Sequence, residues 1–151
     1  MHRSAIRPRE LDHLVLRVRD AAVMERFYCD VLGCTRERRE DDIGLIQLRA
    51  GRSLIDLVPI DSPLGRAGGG APEPRGRNLD HLCLRVEPFD EQAIREHLAA
   101  SGVDAGELEM RYGAEGRGPS VYLEDPEGNT VELKGPPLTA ARADSAGSTS
   151  T

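Results

Sequence analysis

Apolar and polar residues alternate in short runs along this chain, and a longer, helical spacing interrupts the alternation twice. In residues 11–18, LDHLVLRV, the side chains of Leu14, Leu16 and Val18 fall on one face of a strand and those of His13, Val15 and Arg17 on the other. The next stretch, AAVMERFYCDVL, sets Val23, Phe27, Val31 and Leu32 at helical spacing, with Asp20 placed to cap the helix and Gly33 to stop it. Three β-type runs follow, CTRERRE, IGLIQLRA and SLIDLVPI, parted by Asp41-Asp42 and by Gly51-Arg52.

The same order then recurs. Residues 79–86, LDHLCLRV, match residues 11–18 at seven of eight positions with an offset of 68. Pro88 and Asp90 open a second helix, EQAIREHLAAS, whose stripe is Ile94, Leu98 and Ala99 and whose stop is Gly102. Its β-type runs are VDAGELEMRY, PSVYLE and TVELKG, the last two joined by the turn Asp125-Pro126-Glu127-Gly128-Asn129. The pattern predicts an α+β chain of two tandem β-α-β-β-β modules, residues 11–61 and 79–135. Residues 1–10 form an N-terminal extension, 62–78 a Gly/Pro-rich flexible connector, and 136–151 a tail without apolar period, expected to be disordered.

Composition narrows the function classes. The chain has 151 residues, a net charge of -6 and only five aromatic residues (three Tyr, two Phe). It therefore lacks both the basic footprint and the stacking platforms of a nucleic-acid binder. No run approaches the roughly 18 apolar residues of a membrane span, and the N-terminus has no apolar signal core, so a cytoplasmic protein is expected. Cys29, Cys34 and Cys83 form no CxxC and are odd in number, which disfavours disulfides and a thiolate zinc site; they read as small, mostly buried hydrophobes.

The candidate chemistry comes from where polar residues repeat. In SLIDLVPI, Ile55 and Leu57 share a face while Asp56 points the other way; in TVELKG, Val131 and Leu133 do so around Glu132. Each half thus sends one imidazole and one carboxylate to the face opposite its helix. If the two sheets pair, His13, Asp56, His81 and Glu132 converge, a donor set that suits Zn²⁺, Ni²⁺, Fe²⁺ or Mn²⁺. Taken singly, each of the four is more readily read as a structural or solvated side chain than as a ligand. Equivalent placement in both halves is what favours the joint reading. The glycines of residues 112–122, YGAEGRGPSVY, point to a mobile loop over the cavity, where Arg117 is either an anion-binding group or a solvated charge. Arg17 and Arg85 share faces with the histidines and either line the cavity or are solvated. Cys83 reads as a small cavity-wall residue.

The motifs LDHLVLRVRD, ERFYCDVLG, LDHLCLRV and PSVYLEDPEGNTVELKG, spanning residues 11–135, resemble the vicinal oxygen chelate superfamily of glyoxalases, extradiol dioxygenases, fosfomycin-resistance enzymes and bleomycin-resistance proteins. The resemblance implies two modules whose sheets curl into an open half-barrel around a metal. It assigns His13, His81 and Glu132 as ligands and puts Asp56 where glyoxalase I typically has a glutamate one methylene longer. It also implies a chemistry in which the metal holds two adjacent substrate oxygens and stabilises an enediolate, with Glu132 or Asp56 as general base. Ser120 and Tyr122 match a Ser-x-Tyr that contacts the phosphonate in fosfomycin enzymes. The expected function is a metal-dependent lyase or isomerase acting on a small vicinal-oxygen substrate, with a homodimer as the expected assembly. The alternatives are an Fe²⁺-dependent extradiol dioxygenase, a fosfomycin-type thiol transferase, or a metal-free drug-binding protein, the last disfavoured by the scarcity of aromatics.

Overall fold

A computed structural model describes residues 4–138. The chain divides into two compact units between Pro72 and Glu73, inside the Gly/Pro-rich connector. Each unit carries one four-stranded sheet with few helices, an α+β architecture in which neither sheet closes into a barrel. Among the described residues no helix is long and apolar enough to cross a membrane.

The first unit runs β1 (His13–Val18), α1 (Ala21–Arg26), β2 (Thr35–Glu40), β3 (Leu45–Ala50), β4 (Ser53–Pro59) and α2 (Pro63–Arg66). Its strands lie in the order β1-β4-β3-β2, with β1 parallel to β4 and the other pairs antiparallel. The Asp20 carboxylate caps α1 by accepting the Val23 N–H at 3.0 Å. The helix stops sooner than its apolar spacing predicts. From Phe27 to Val31 the backbone is π-helical, with Leu32 N–H donating to the Phe27 carbonyl five residues back. The adjacent Phe27 and Tyr28 are both buried there, ring edge to face at 5.6 Å. They pack with Met24 among the buried sheet residues Leu16, Val18, Ile46, Leu48, Ile55 and Leu57. Gly33 ends the helix at φ 76°, a left-handed position that favours glycine.

The connector is tied down rather than free. Ser62 caps the short α2, and the Arg17 guanidinium donates to the carbonyls of Gly65, Gly69 and Gly70. Gly65 sits so close to β4 that a Cβ there would meet the Pro59 carbonyl oxygen at 1.9 Å, so only glycine fits. The sequence pattern misses this because Gly/Pro composition reports local stiffness and says nothing of a distant arginine.

The second unit runs β5 (His81–Arg85), α3 (Glu91–Ala100), β6 (Glu109–Gly113), β7 (Gly116–Glu124) and β8 (Thr130–Lys134), in the sheet order β5-β8-β7-β6. Asp90 caps α3 through Ala93 N–H, and Leu98 is the helix's fully buried residue. The β7–β8 turn is set by Asp125, whose carboxylate accepts the Glu127 and Asn129 N–H groups at 2.9 Å. Residues 112–122 are not a mobile loop: they form the β6–β7 hairpin, with Tyr112 paired to Arg117 and Gly113 to Gly116. Of the expected tail, residues 136–138 are held against β7, Leu138 N–H donating to the Arg117 carbonyl at 3.1 Å; its remainder lies outside the described residues.

Candidate functional site

Both histidines open the first strand of their unit, and the sheet register gives each the same carboxylate neighbour. On β1, Val15, two residues after His13, pairs with Asp56 of β4. On β5, Cys83, two residues after His81, pairs with Glu132 of β8. Parallel pairing keeps these side chains on one face, so each unit presents an imidazole and a carboxylate together.

Each imidazole is also oriented in the same way by the residue before it. His13 Nδ1 donates to Asp12 Oδ1 at 2.8 Å, and His81 Nδ1 donates to Asp80 Oδ2 at 2.7 Å. A carboxylate only accepts, so Nδ1 of each ring carries a proton; this leaves the His13 Nε2 for another partner, while His81 Nε2 faces the Glu132 carboxylate. This is the orienting contact that metal-ligating histidines use. The hydrogen bond to Asp12 raises the His13 pKa above its ordinary value, burial opposes it, and the nearby Asp56 charge adds to the rise.

The carboxylates are set deep. Asp56 is 4% exposed; its Oδ2 accepts from Gln47 Nε2 at 3.1 Å, while its Oδ1 is buried with no hydrogen-bond partner among the described residues. A buried carboxylate oxygen without a donor is costly, and a cation would satisfy it. Glu132 is 5% exposed; its Oε1 accepts from Ser120 Oγ at 2.5 Å, and its Oε2 lies 3.2 Å from His81 Nε2. Tyr122 stands edge-on to the His81 ring at 5.7 Å. Burial first, then the Glu132 charge, pushes the Tyr122 phenol upward. Cys83 is pushed up to about 12, by burial and then by the charge and hydrogen bond of Glu132, so it stands as a neutral thiol.

Within each unit the donor types are ones a divalent cation takes: an imidazole with the Asp56 carboxylate in the first, and an imidazole with the Glu132 carboxylate in the second. Each unit by itself brings one histidine and one such carboxylate. Among the described residues no three His, Cys, Asp or Glu side chains are gathered closely enough to hold an ion.

In the second unit a cavity of about 360 Å³ opens over this face. His81, Cys83, Arg85, Glu132 and Lys134 line it from the sheet, and Tyr112–Gly116 of the hairpin with Pro137 line it from above. Cys83 is a wall residue, as its parity with His81 predicts; it is open to solvent where the sequence predicts a mostly buried side chain, and its thiol is only partly desolvated. Ser120 is fully buried with its hydroxyl on Glu132, so it seats the carboxylate instead of facing a ligand. Arg117 is exposed and alternates with Ser120 and Tyr122, which puts it on the opposite face of β7 from Glu132. Arg17 is committed to the connector carbonyls.

Sequence reasoning missed three groups: the orienting Asp12 and Asp80, the Gln47 donor to Asp56, and Lys134, whose buried ammonium donates to the Arg111 and Gly118 carbonyls. Asp12 and Asp80 were visible in principle, since both copies read Asp-His. Lys134 shares parity with Glu132 and so was assignable to the same face.

A family model described as the glyoxalase/bleomycin resistance protein/dioxygenase superfamily matches residues 10–133. The uncharacterised protein YaeR of Escherichia coli is 28% identical over 131 residues, covering 83% of this chain and 95% of that protein. Metapyrocatechase 2 of Cupriavidus necator is 32% identical over 140 residues, covering 90% of this chain and 38% of the relative. Among solved structures, an integron cassette protein from the mobile metagenome of V. cholerae superposes with a TM-score of 0.67 at 28% identity, covering 87% of this chain and 98% of that one.

Proposed function

Because the chain belongs to the glyoxalase/bleomycin resistance protein/dioxygenase superfamily, we propose that it is a metal-dependent lyase or isomerase of the glyoxalase type, acting on a small substrate with adjacent oxygens. His13 and Asp56 of the first unit and His81 and Glu132 of the second would hold the cation. The observation that carries this reading is the duplicated register, in which each Asp-His strand meets a buried carboxylate two residues on. When bound, the cation supplies Lewis-acid polarisation of the substrate's oxygens.

The chain's own residues do the rest. Glu132, held by Ser120 on one oxygen, would take the proton from the carbon beside a carbonyl through the other only when that oxygen is displaced from the cation. The unpartnered Asp56 oxygen is the second candidate for that proton. Burial of both carboxylates keeps water from competing for them. A cavity of about 360 Å³ supports a substrate at the small end of the range.

The extradiol dioxygenase reading is favoured by the identity with metapyrocatechase 2, of whose length the match covers 38%. A drug-sequestering role has little support, since Tyr112 is the one aromatic ring among the second unit's cavity residues. The test is proton exchange in D₂O, followed by NMR, using protein supplied in turn with Ni²⁺, Zn²⁺, Mn²⁺ and Fe²⁺ and offered 2-oxo acids and thiohemiacetals. Deuterium should enter the carbon beside the carbonyl, and Glu132→Gln should abolish its entry. No exchange with any pair, together with oxygen uptake on catechols, would replace the isomerase with the dioxygenase.

A further inference from the structure

We propose that the substrate carries an anionic group, a carboxylate, which Arg85 binds in place of Glu115. This rests on the reading that the reacting oxygens lie at His81 and Glu132, and it adds what sits at the other end of the cavity. Cys83 pairs with Glu132 and Arg85 with Lys134, so Arg85 stands one two-residue step along the strand, about 6.6 Å, beyond the Glu132 row. All of these side chains and Glu115 line the same cavity. The cavity is therefore polarised, with the imidazole and buried carboxylate at one end and two cations at the other.

The two cations differ in what holds them. Lys134 donates to the backbone carbonyls of Arg111 and Gly118, neutral groups that leave its charge in place. Arg85 is paired through Nη1 to the Glu115 carboxylate and through Nη2 to Glu87 at 3.4 Å. Both partners are surface side chains, Glu115 64% and Glu87 70% exposed, while Arg85 is 31% exposed. Exposed ion pairs are weak and exchange readily, so an incoming carboxylate displaces Glu115 at little cost. A planar guanidinium is suited to bind the newcomer by two parallel hydrogen bonds.

The duplication supplies an internal control. Arg17 occupies the equivalent position in the first unit, 68 residues earlier, and its guanidinium is spent on the Gly65, Gly69 and Gly70 carbonyls. Those backbone groups belong to a fixed connector and cannot be exchanged for a ligand. Of the two equivalent arginines, Arg85 is the one whose partner is an exchangeable carboxylate at the tip of a hairpin facing a cavity.

The experiment compares two probes by isothermal titration into the full chain saturated with Mn²⁺: 2-oxoglutarate, with a distal carboxylate, and 2-oxohexanoate, which has the same 2-oxo acid head and an uncharged tail. Their common head cancels any chelation of free metal. Binding of 2-oxoglutarate should be tighter by about tenfold or more. Arg85→Met should reduce that preference to less than about threefold while leaving 2-oxohexanoate binding in place, and Glu115→Gln should tighten 2-oxoglutarate by removing its competitor. The proposal is overturned if wild-type protein shows no preference or binds neither probe, if the preference survives Arg85→Met, or if Glu115→Gln weakens binding. Manganese content measured on the same samples separates the two readings: a preference lost on Arg85→Met in protein that retains no manganese upholds the anionic substrate and removes the metal.

Discussion

A leucine in place of Asp56 should make the metal-free protein more stable and at the same time weaken its hold on a divalent cation. The side chain lies in β4, paired across β1 and β3, and among the described residues only one of its two oxygens has a donor, Gln47. The other is buried without one. Leucine has a similar shape and needs no partner, and half-buried Gln47 can turn to water. Removing an unsatisfied buried carboxylate oxygen should add about 1–3 kcal/mol to the metal-free protein. Outer partners of metal ligands typically carry tenfold to a hundredfold in affinity, so losing a ligand should cost roughly that much or more. Thermal unfolding with and without added Zn²⁺ or Mn²⁺ reads both effects, since an ion that binds the folded state raises the midpoint by an amount that grows with the logarithm of its affinity. A leucine variant that is less stable without metal and equally stabilised by it would show that Asp56 is an ordinary structural residue.

Next to it, Leu57→Ala should be among the most destabilising single changes in the first unit. Leu57 is fully buried on β4, with Leu16 of β1 on one side and Ile46 of β3 on the other. Because β4 is internal to the sheet, neither neighbour can move in to fill the lost volume without shifting a strand. Leucine-to-alanine changes at such positions cost about 2–5 kcal/mol from lost transfer energy and the remaining cavity. For a unit of this size that corresponds to a fall of roughly 10–30 °C in the unfolding midpoint. Asp56 and Leu57 are neighbours on one strand with opposite faces and opposite expected signs, so circular dichroism melts of the two variants side by side test whether the face assignment is right. A fall of only a degree or two for Leu57→Ala would place that residue outside the core.

Much of the fold was legible because duplication doubled every signal. Leu16 and Val18 declared the buried face of β1 by period two, Leu98 the buried face of α3 by period 3.6, and the turn at Asp125–Asn129 by its Asp-Pro-Glu-Gly-Asn chemistry. What escaped were features set by contacts between distant residues. The π-helical turn at Phe27–Val31 follows a local spacing that an α-helix would satisfy equally well, and tertiary packing decides between them. The hold of Arg17 on the connector joins residues some fifty positions apart, and no window of sequence contains both.

The candidate site divides along the same line. That His13, Asp56, His81 and Glu132 face away from the helices followed from parity alone. The orphaned Asp56 oxygen, the hydroxyl of Ser120 spent on Glu132 and the neutral Cys83 thiol depend on distances that alternation does not carry. Arg117 shows the limit most plainly: the glycines around it read as a loop, yet they sit in a tight hairpin whose pairing turns Arg117 to the face away from Glu132.

The central claim, which is the proposed function's, is that His13 and His81, one in each copy of the duplication, are both metal ligands. Its most direct test is metal stoichiometry by elemental analysis of the full chain, loaded with Zn²⁺, Ni²⁺, Mn²⁺ or Fe²⁺ and then dialysed, for the unaltered protein and for His13→Ala and His81→Ala. One ion per chain, lost on changing either histidine, is the predicted result. No retained ion under any loading, or a full complement that survives both substitutions, would contradict it.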